Sequence, residues 1–182
     1  FILRLTLMIK YRLSKLSILT TIALMWMPLL AVAAPNPTQI ATDRQTIASL
    51  DDTLKQNPQD LDAYIRRGIL YARLEQNLPA IADYTQVIRL DPNNLLAYSN
   101  RANAKVNMRD YRGAYLDYSQ VLRIEPERAI TYNNRAFARH QLGDCKGAIS
   151  DLRIAVELFR IQGDGANYQL SLANLKKFQR KK

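Results

Sequence analysis

Three stretches of the chain, laid one under another, decide its architecture. Residues 61–94 read LDAYIRRGILYARLEQNLPAIADYTQVIRLDPNN, residues 95–128 read LLAYSNRANAKVNMRDYRGAYLDYSQVLRIEPER, and residues 129–162 read AITYNNRAFARHQLGDCKGAISDLRIAVELFRIQ. Tyr64, Tyr98 and Tyr132 fall in one column, and so do Arg67, Arg101 and Arg135. Ala80, Ala114 and Ala148 form a third column, and Asp83, Asp117 and Asp151 a fourth. Pro58, Pro92 and Pro126 mark the same period of 34 residues just outside the helical stretches. A fixed period of this length is the signature of a stacked repeat rather than of a single irregular domain.

Each period reads as two helices. In the first, 61–75 and 79–90 are helical and Asn77-Leu78-Pro79 separates them, with Pro79 near the N-terminus of the second helix, where it is tolerated. Asp91-Pro92 ends that second helix, because proline cannot continue it and disfavours the α region at the residue before. The same reading gives helices over 95–108 and 113–124, then over 129–142 and 146–160, with Gly143 and Asp144 at the third break. Residues 40–56 read as a helix leading into Pro58. Residues 166–180 read as a closing helix with Tyr168, Leu172 and Leu175 inward. Eight helices and no sheet are predicted. Arg67 and Asp83 are 16 residues apart, as are Arg101 and Asp117, and Arg135 and Asp151. That separation places one member on each helix of a hairpin and predicts an ion pair inside every repeat, worth about 0.2–1 kcal/mol if exposed.

These columns resemble the tetratricopeptide family, whose 34-residue helical hairpin carries a large aromatic, a small residue four positions on, then a further small residue, an aromatic and a proline. Repeat one matches with Tyr64, Gly68, Tyr71, Ala80, Tyr84 and Pro92, and repeat two with Tyr98, Ala102, Ala114, Tyr118 and Pro126. Repeat three matches with Tyr132, Ala136, Ala148 and Ala155, but has Leu152 for the second aromatic and Arg160 for the proline, so its second helix is expected to run on towards Gly163. The resemblance implies an all-α fold, a right-handed α-α superhelix of three helical hairpins with flanking N- and C-terminal capping helices. The segments are then 34–44 a linker, 45–60 an N-terminal cap, 61–94, 95–128 and 129–162 the repeats, and 163–182 a C-terminal cap with a basic tail.

The first 33 residues read as an export signal. Met8 to Lys15 form a basic start, residues 16–34 are uncharged and mostly apolar, and Ala31-Val32-Ala33 offers the small-x-small pattern of a signal-peptidase site. Cleavage after Ala33 is expected, with Met8 as an alternative start, and the protein is expected in a periplasm, a lumen or the extracellular space. The alternative is an anchor helix that stays in the membrane, since the apolar run is just long enough to span one. Cys145 is the only cysteine, so neither an internal disulfide nor a lipoprotein linkage at the cleavage site is available.

Formal charge is +10. Arg4, Lys10, Arg12 and Lys15 supply part of it, and Lys176, Lys177, Arg180, Lys181 and Lys182 crowd the other end, leaving the middle nearly balanced. Nucleic-acid binding is not expected. Membrane association through an uncleaved N-terminal helix or the basic tail is the alternative to a purely soluble life. No P-loop, G-x-S-x-G or H-E-x-x-H pattern occurs, Asp51-Asp52 is not spaced as an acid–base pair, and His140 has no second histidine, so neither an enzyme nor a metal or cofactor site is expected. Cys145 is expected to pack as a small hydrophobe.

Function is expected on the inner wall, which the resemblance assigns to the first helix of each repeat. Carried onto this chain, that wall receives Ile65, Arg66 and Ile69, then Asn100 and Asn103, then Asn133, Asn134, Phe137 and His140. Asparagine amides both donate and accept, which suits the backbone of an extended peptide. The expectation is a scaffold or adaptor that binds a peptide or helix of a partner protein. A clamp for a chaperone-type terminal carboxylate is disfavoured, because the resemblance would want Lys and Asn where Ile65 and Ile69 stand and only Asn100 fits.

Overall fold

The computed structural model describes residues 36–179. Contacts divide the chain into two units, residues 1–40 and residues 41–182, and only the second is described at length. The proposed signal segment and its cleavage site lie outside the described residues, as do Arg180, Lys181 and Lys182. Among the described residues there are eight helices and no strand: α1 (Pro37–Gln56), α2 (Leu61–Arg73), α3 (Asn77–Leu90), α4 (Leu95–Asn107), α5 (Tyr111–Ile124), α6 (Ala129–Gln141), α7 (Cys145–Ile161) and α8 (Gly165–Gln179). None is long and apolar enough to cross a membrane. Helices α2 and α3, α4 and α5, and α6 and α7 are the three hairpins, each packed on the next, with α8 closing the stack on α7.

The helix boundaries follow from caps that the spacing alone did not reveal. Asp60 and Asn94 accept from the backbone N–H of Ala63 and Ala97, starting α2 and α4. Asp110 and Asp144 accept from Gly113 and Gly147, so α5 and α7 begin at Tyr111 and Cys145, ahead of the expected starts. The turn inside each hairpin has its own column. Glu75, Arg109 and Gly143 all adopt left-handed backbone, at φ 59, 61 and 83 respectively, and only the third is a glycine. One expectation is corrected at the N-terminus. The helix expected from residue 40 begins at Pro37, so residues 37–44 of the segment divided off as linker are helical, because Asn36 accepts from the N–H of Thr38 and Pro37 occupies the first helical position. At the other end α7 runs to Ile161, longer than α3 and α5, as the arginine in place of proline implied, and Gly163 at φ 72 turns the chain into α8.

Small residues stand where helices cross. Ala80, Ala114 and Ala148 are fully buried, as are Ala102 and Ala136. Gly68 lies so close to the buried Tyr84 that an added Cβ would sit 2.7 Å from the ring. Tyr84, Tyr118 and Leu152 fill the matching place in successive repeats. Burial of such a side chain contributes about 1.5–3 kcal/mol.

The Arg–Asp pairs form in all three repeats. Arg67 donates to Asp83 at 2.9 and 2.6 Å, Arg101 to Asp117 at 2.9 and 2.7 Å, and Arg135 to Asp151 at 2.8 and 2.8 Å, each through a two-pronged contact. The remaining prong reaches back 16 residues to the preceding helix, to Asp51, Thr85 and Ser119 in turn. One guanidinium therefore joins its own hairpin and ties it to the helix before. Repeats two and three add a second base, Lys105 on Asp117 and Arg139 on Asp151, where repeat one has Tyr71. The carboxylates are almost wholly buried, which changes the expected energetics. Burial pushes the Asp83 carboxyl above its ordinary range and the Arg67 hydrogen bonds pull against it. Such a pair adds little net stability, yet losing one partner strands a buried charge.

Candidate functional site

The expected inner wall consists of α2, α4 and α6, the first helices of the hairpins, and α8 follows them in the stack. Their spacing in sequence puts residues three and four apart on one face, so each contributes a short row of side chains. The rows of α4, α6 and α8 enclose a pocket of about 550 Å³, with Tyr118 of α5 and Leu152 of α7 behind them. Asn103, Asn133, Asn134, Phe137 and His140, all expected on this wall, line it together, with Asn107 and Gln141 beside them. Ile65, Arg66, Ile69 and Asn100 are not among its lining residues. Ile65 packs partly into the core beside Tyr84, and Arg66 pairs with Asp62 at 3.6 Å. Ile69 stays on the surface at 37% exposure.

The carboxamides are oriented. The Tyr118 hydroxyl donates to Asn103 Oδ1 at 2.6 Å, and Ser171 Oγ donates to Asn133 Oδ1 at 3.1 Å. Burial, reinforced by the Asp117 charge, pushes the Tyr118 phenol up, so it stays neutral and keeps its proton to donate. With their oxygens accepting these bonds, Asn103 and Asn133 keep their amide N–H groups as the donors they can offer. Phe137 presents an aromatic surface at 43% exposure, set edge-on against Tyr111 with ring centroids 6.1 Å apart. His140 stacks on Phe178 at 3.9 Å and 16° between planes. No carboxylate lines the pocket, and Lys177 adds a positive charge at its mouth.

Asn174, Lys177 and Phe178 of α8 were missed as wall residues because that segment was read only as a cap. The slip at Gly163 breaks the 34-residue register, so column matching could not carry the wall into α8. Cys145 is corrected. It is exposed at the first position of α7, with Sγ 4.0 Å from His140 Nδ1, because the hairpin turn leaves that position outside the crossing of the two helices. Among the described residues no group of His, Cys, Asp or Glu is arranged to hold a metal ion.

Residues 61–94 match the family described as tetratricopeptide repeat. No curated protein matches the chain significantly in sequence. Among solved structures, the chain is similar to the first TPR of Spaghetti (RPAP3) bound to the HSP90 peptide SRMEEVD, with 22% identity, a TM-score of 0.60, and 67% of this chain and 92% of that one covered. It is similar to the TPR2B domain of yeast Sti1 in a pHsp70 complex, at 20% identity and a TM-score of 0.63, covering 67% and 98%. The Arabidopsis OM64 TPR domain is similar at 25% identity and a TM-score of 0.57, covering 64% and 94%. The helical hairpins, their stapled crossings and these folds agree: residues 61–94 match the tetratricopeptide repeat, and the described helices have the fold of a tetratricopeptide-repeat solenoid.

Proposed function

We propose that the chain is a non-catalytic scaffold that holds an extended segment of a partner protein in the pocket between α4, α6 and α8. One observation carries this reading. Asn103 and Asn133, whose oxygens are already engaged and whose amide N–H groups are the donors they have left, line one pocket with the exposed Phe137, a set suited to peptide carbonyls beside one apolar side chain. The absence of any carboxylate in the lining, with Lys177 at the mouth, favours a neutral or acidic segment over a basic one. The similar RPAP3 and Sti1 domains, each solved with a chaperone-derived ligand, support peptide binding as the use of this fold, and its repeats serve typically as interaction modules.

Selection from a random peptide display library tests it. The expected result is enrichment of segments with an aromatic or aliphatic residue, and loss of their binding in Asn103→Ala/Asn133→Ala and in Phe137→Ala. Undiminished binding by these variants would remove the pocket from the account. The compartment is a second part of the proposal, resting on the residues before Ala34. Mass spectrometry of the mature N-terminus should find a chain starting at Ala34, and a retained apolar segment would make it a membrane-anchored factor instead.

A further inference from the structure

The two ends of the helical hairpins differ in how their charges are used. One rim of the unit carries the turns between α1 and α2, between α3 and α4, between α5 and α6, and between α7 and α8. There Lys55 pairs with Asp52, Arg66 with Asp62, Arg128 with Glu125 and Arg160 with Glu157. The other rim carries the turns inside the hairpins. Its parts are tied together by Arg73 on Asp43, by Asn107 on Asn77 and by the His140–Phe178 stack. Here Arg109, Arg112, Lys146, Lys176 and Lys177 are exposed and make no ion pair among the described residues. Of the acids on this rim, Asp110 and Asp144 are engaged as helix caps, Asp144 also meets Arg139, and Glu75 is exposed, so the bases outnumber the acids. The same rim exposes apolar side chains, Leu78 at 66%, Met108 at 43% and Leu142 at 48%.

Both chain ends of the unit leave from this rim. Asp43, near the start of α1, is held there by Arg73, and the sequence before it leads back to the apolar run of residues 16–34. Helix α8 ends there too, and the sequence continues into Arg180, Lys181 and Lys182. We infer that this rim docks on an anionic lipid bilayer, with its bases on the headgroups and Leu78, Met108 and Leu142 at the interface. Unpaired basic side chains interleaved with exposed apolar ones are the surface chemistry that such a bilayer recognises. The first rim also has Arg89 and Arg123, without an ion pair among the described residues, but Asp60, Asp91, Glu127 and Asp164 stand in its turns beside the paired acids, so its bases do not predominate, which orients the unit. Lys177 belongs to both the rim and the pocket lining, but Arg109, Arg112, Lys146, Leu78, Met108 and Leu142 lie outside the pocket, so substituting them tests the rim separately from the scaffold reading.

The unit has its own core, so the chain from Ala34 onward serves as the sample. Its flotation with phosphatidylcholine vesicles is compared with and without phosphatidylglycerol. Binding is expected only with the anionic lipid, and is expected to weaken as salt rises. Arg109→Gln/Arg112→Gln/Lys146→Gln should lower the partition coefficient about a hundredfold, at roughly fivefold per base. Arg89→Gln/Arg123→Gln/Arg153→Gln, which removes as much charge elsewhere, should leave it nearly unchanged. Leu78→Ser/Met108→Ser/Leu142→Ser should abolish the part that survives high salt, with circular dichroism confirming that each variant is folded. No binding to the anionic vesicles, equal loss in the two triple-glutamine variants, or binding to duplex DNA with none to vesicles would overturn the inference.

Discussion

The interior of the hairpins and their inner wall are built on opposite rules. Inside, every repeat uses the same residues in the same places: Arg67, Arg101 and Arg135 on Asp83, Asp117 and Asp151, with Ala80, Ala114 and Ala148 at the crossings. On the wall no column repeats through all three hairpins. Ile65 is followed by Ser99 and Asn133, Arg66 by Asn100 and Asn134, and Ile69 by Asn103 and Phe137. Sameness marks positions where each hairpin must solve one packing problem, and difference marks positions that packing leaves open. Stability should therefore respond to the first set and recognition to the second.

The largest expected break in this contrast is Asp117→Ala. It strands Arg101 and Lys105 in a nearly closed environment and should cost about 3–5 kcal/mol in urea unfolding. A loss no larger than that of a surface substitution would show that the interior is wetter than described. Gly68→Val comes next, since its side chain has to displace the Tyr84 ring, and about 1–3 kcal/mol is expected from the same measurement.

Alkaline pH should act on the buried phenols, Tyr84 in the core among them. Burial pushes the Tyr84 phenol up from 10.0 to about 12. Between those values the unfolded chain loses its proton and the folded chain keeps it. The stability is thus fully present below pH 10 and falls as pH rises towards 12, by at most about 1.4 kcal/mol per pH unit for this residue. Tyr84→Phe should flatten that slope in thermal unfolding followed across the range, and an unchanged slope would assign it elsewhere. The smallest effect on stability is expected on the wall. Asn100→Ala/Asn134→Ala, whose side chains sit between buried and exposed, should shift the unfolding free energy by about 0.5 kcal/mol or less. A larger loss would place these amides with the scaffold.

What could be read in the sequence follows the same division. Arg67 with Asp83 was legible because a pair at constant separation recurs in step, and recurrence needs no knowledge of geometry. Lys105 and Arg139 were not, because their column begins with Tyr71 and the pattern breaks at its first member. The left-handed turns at Glu75 and Arg109 were hidden because neither is the glycine that such backbone favours, although Gly143 stands in the same column. The wall was legible only as a set of helix faces. Which faces close into a pocket depends on where α8 lies, and its register shifts at Gly163, beyond the reach of a fixed period.

Hydrogen–deuterium exchange with a display-selected peptide tests the central claim most directly. The account predicts added protection concentrated on α4, α6 and α8, around Asn103, Phe137 and Asn174, with α3, α5 and α7 little changed away from Tyr118 and Leu152. Protection confined to the outer faces of α3, α5 and α7, or none at a peptide concentration that saturates binding, would contradict it.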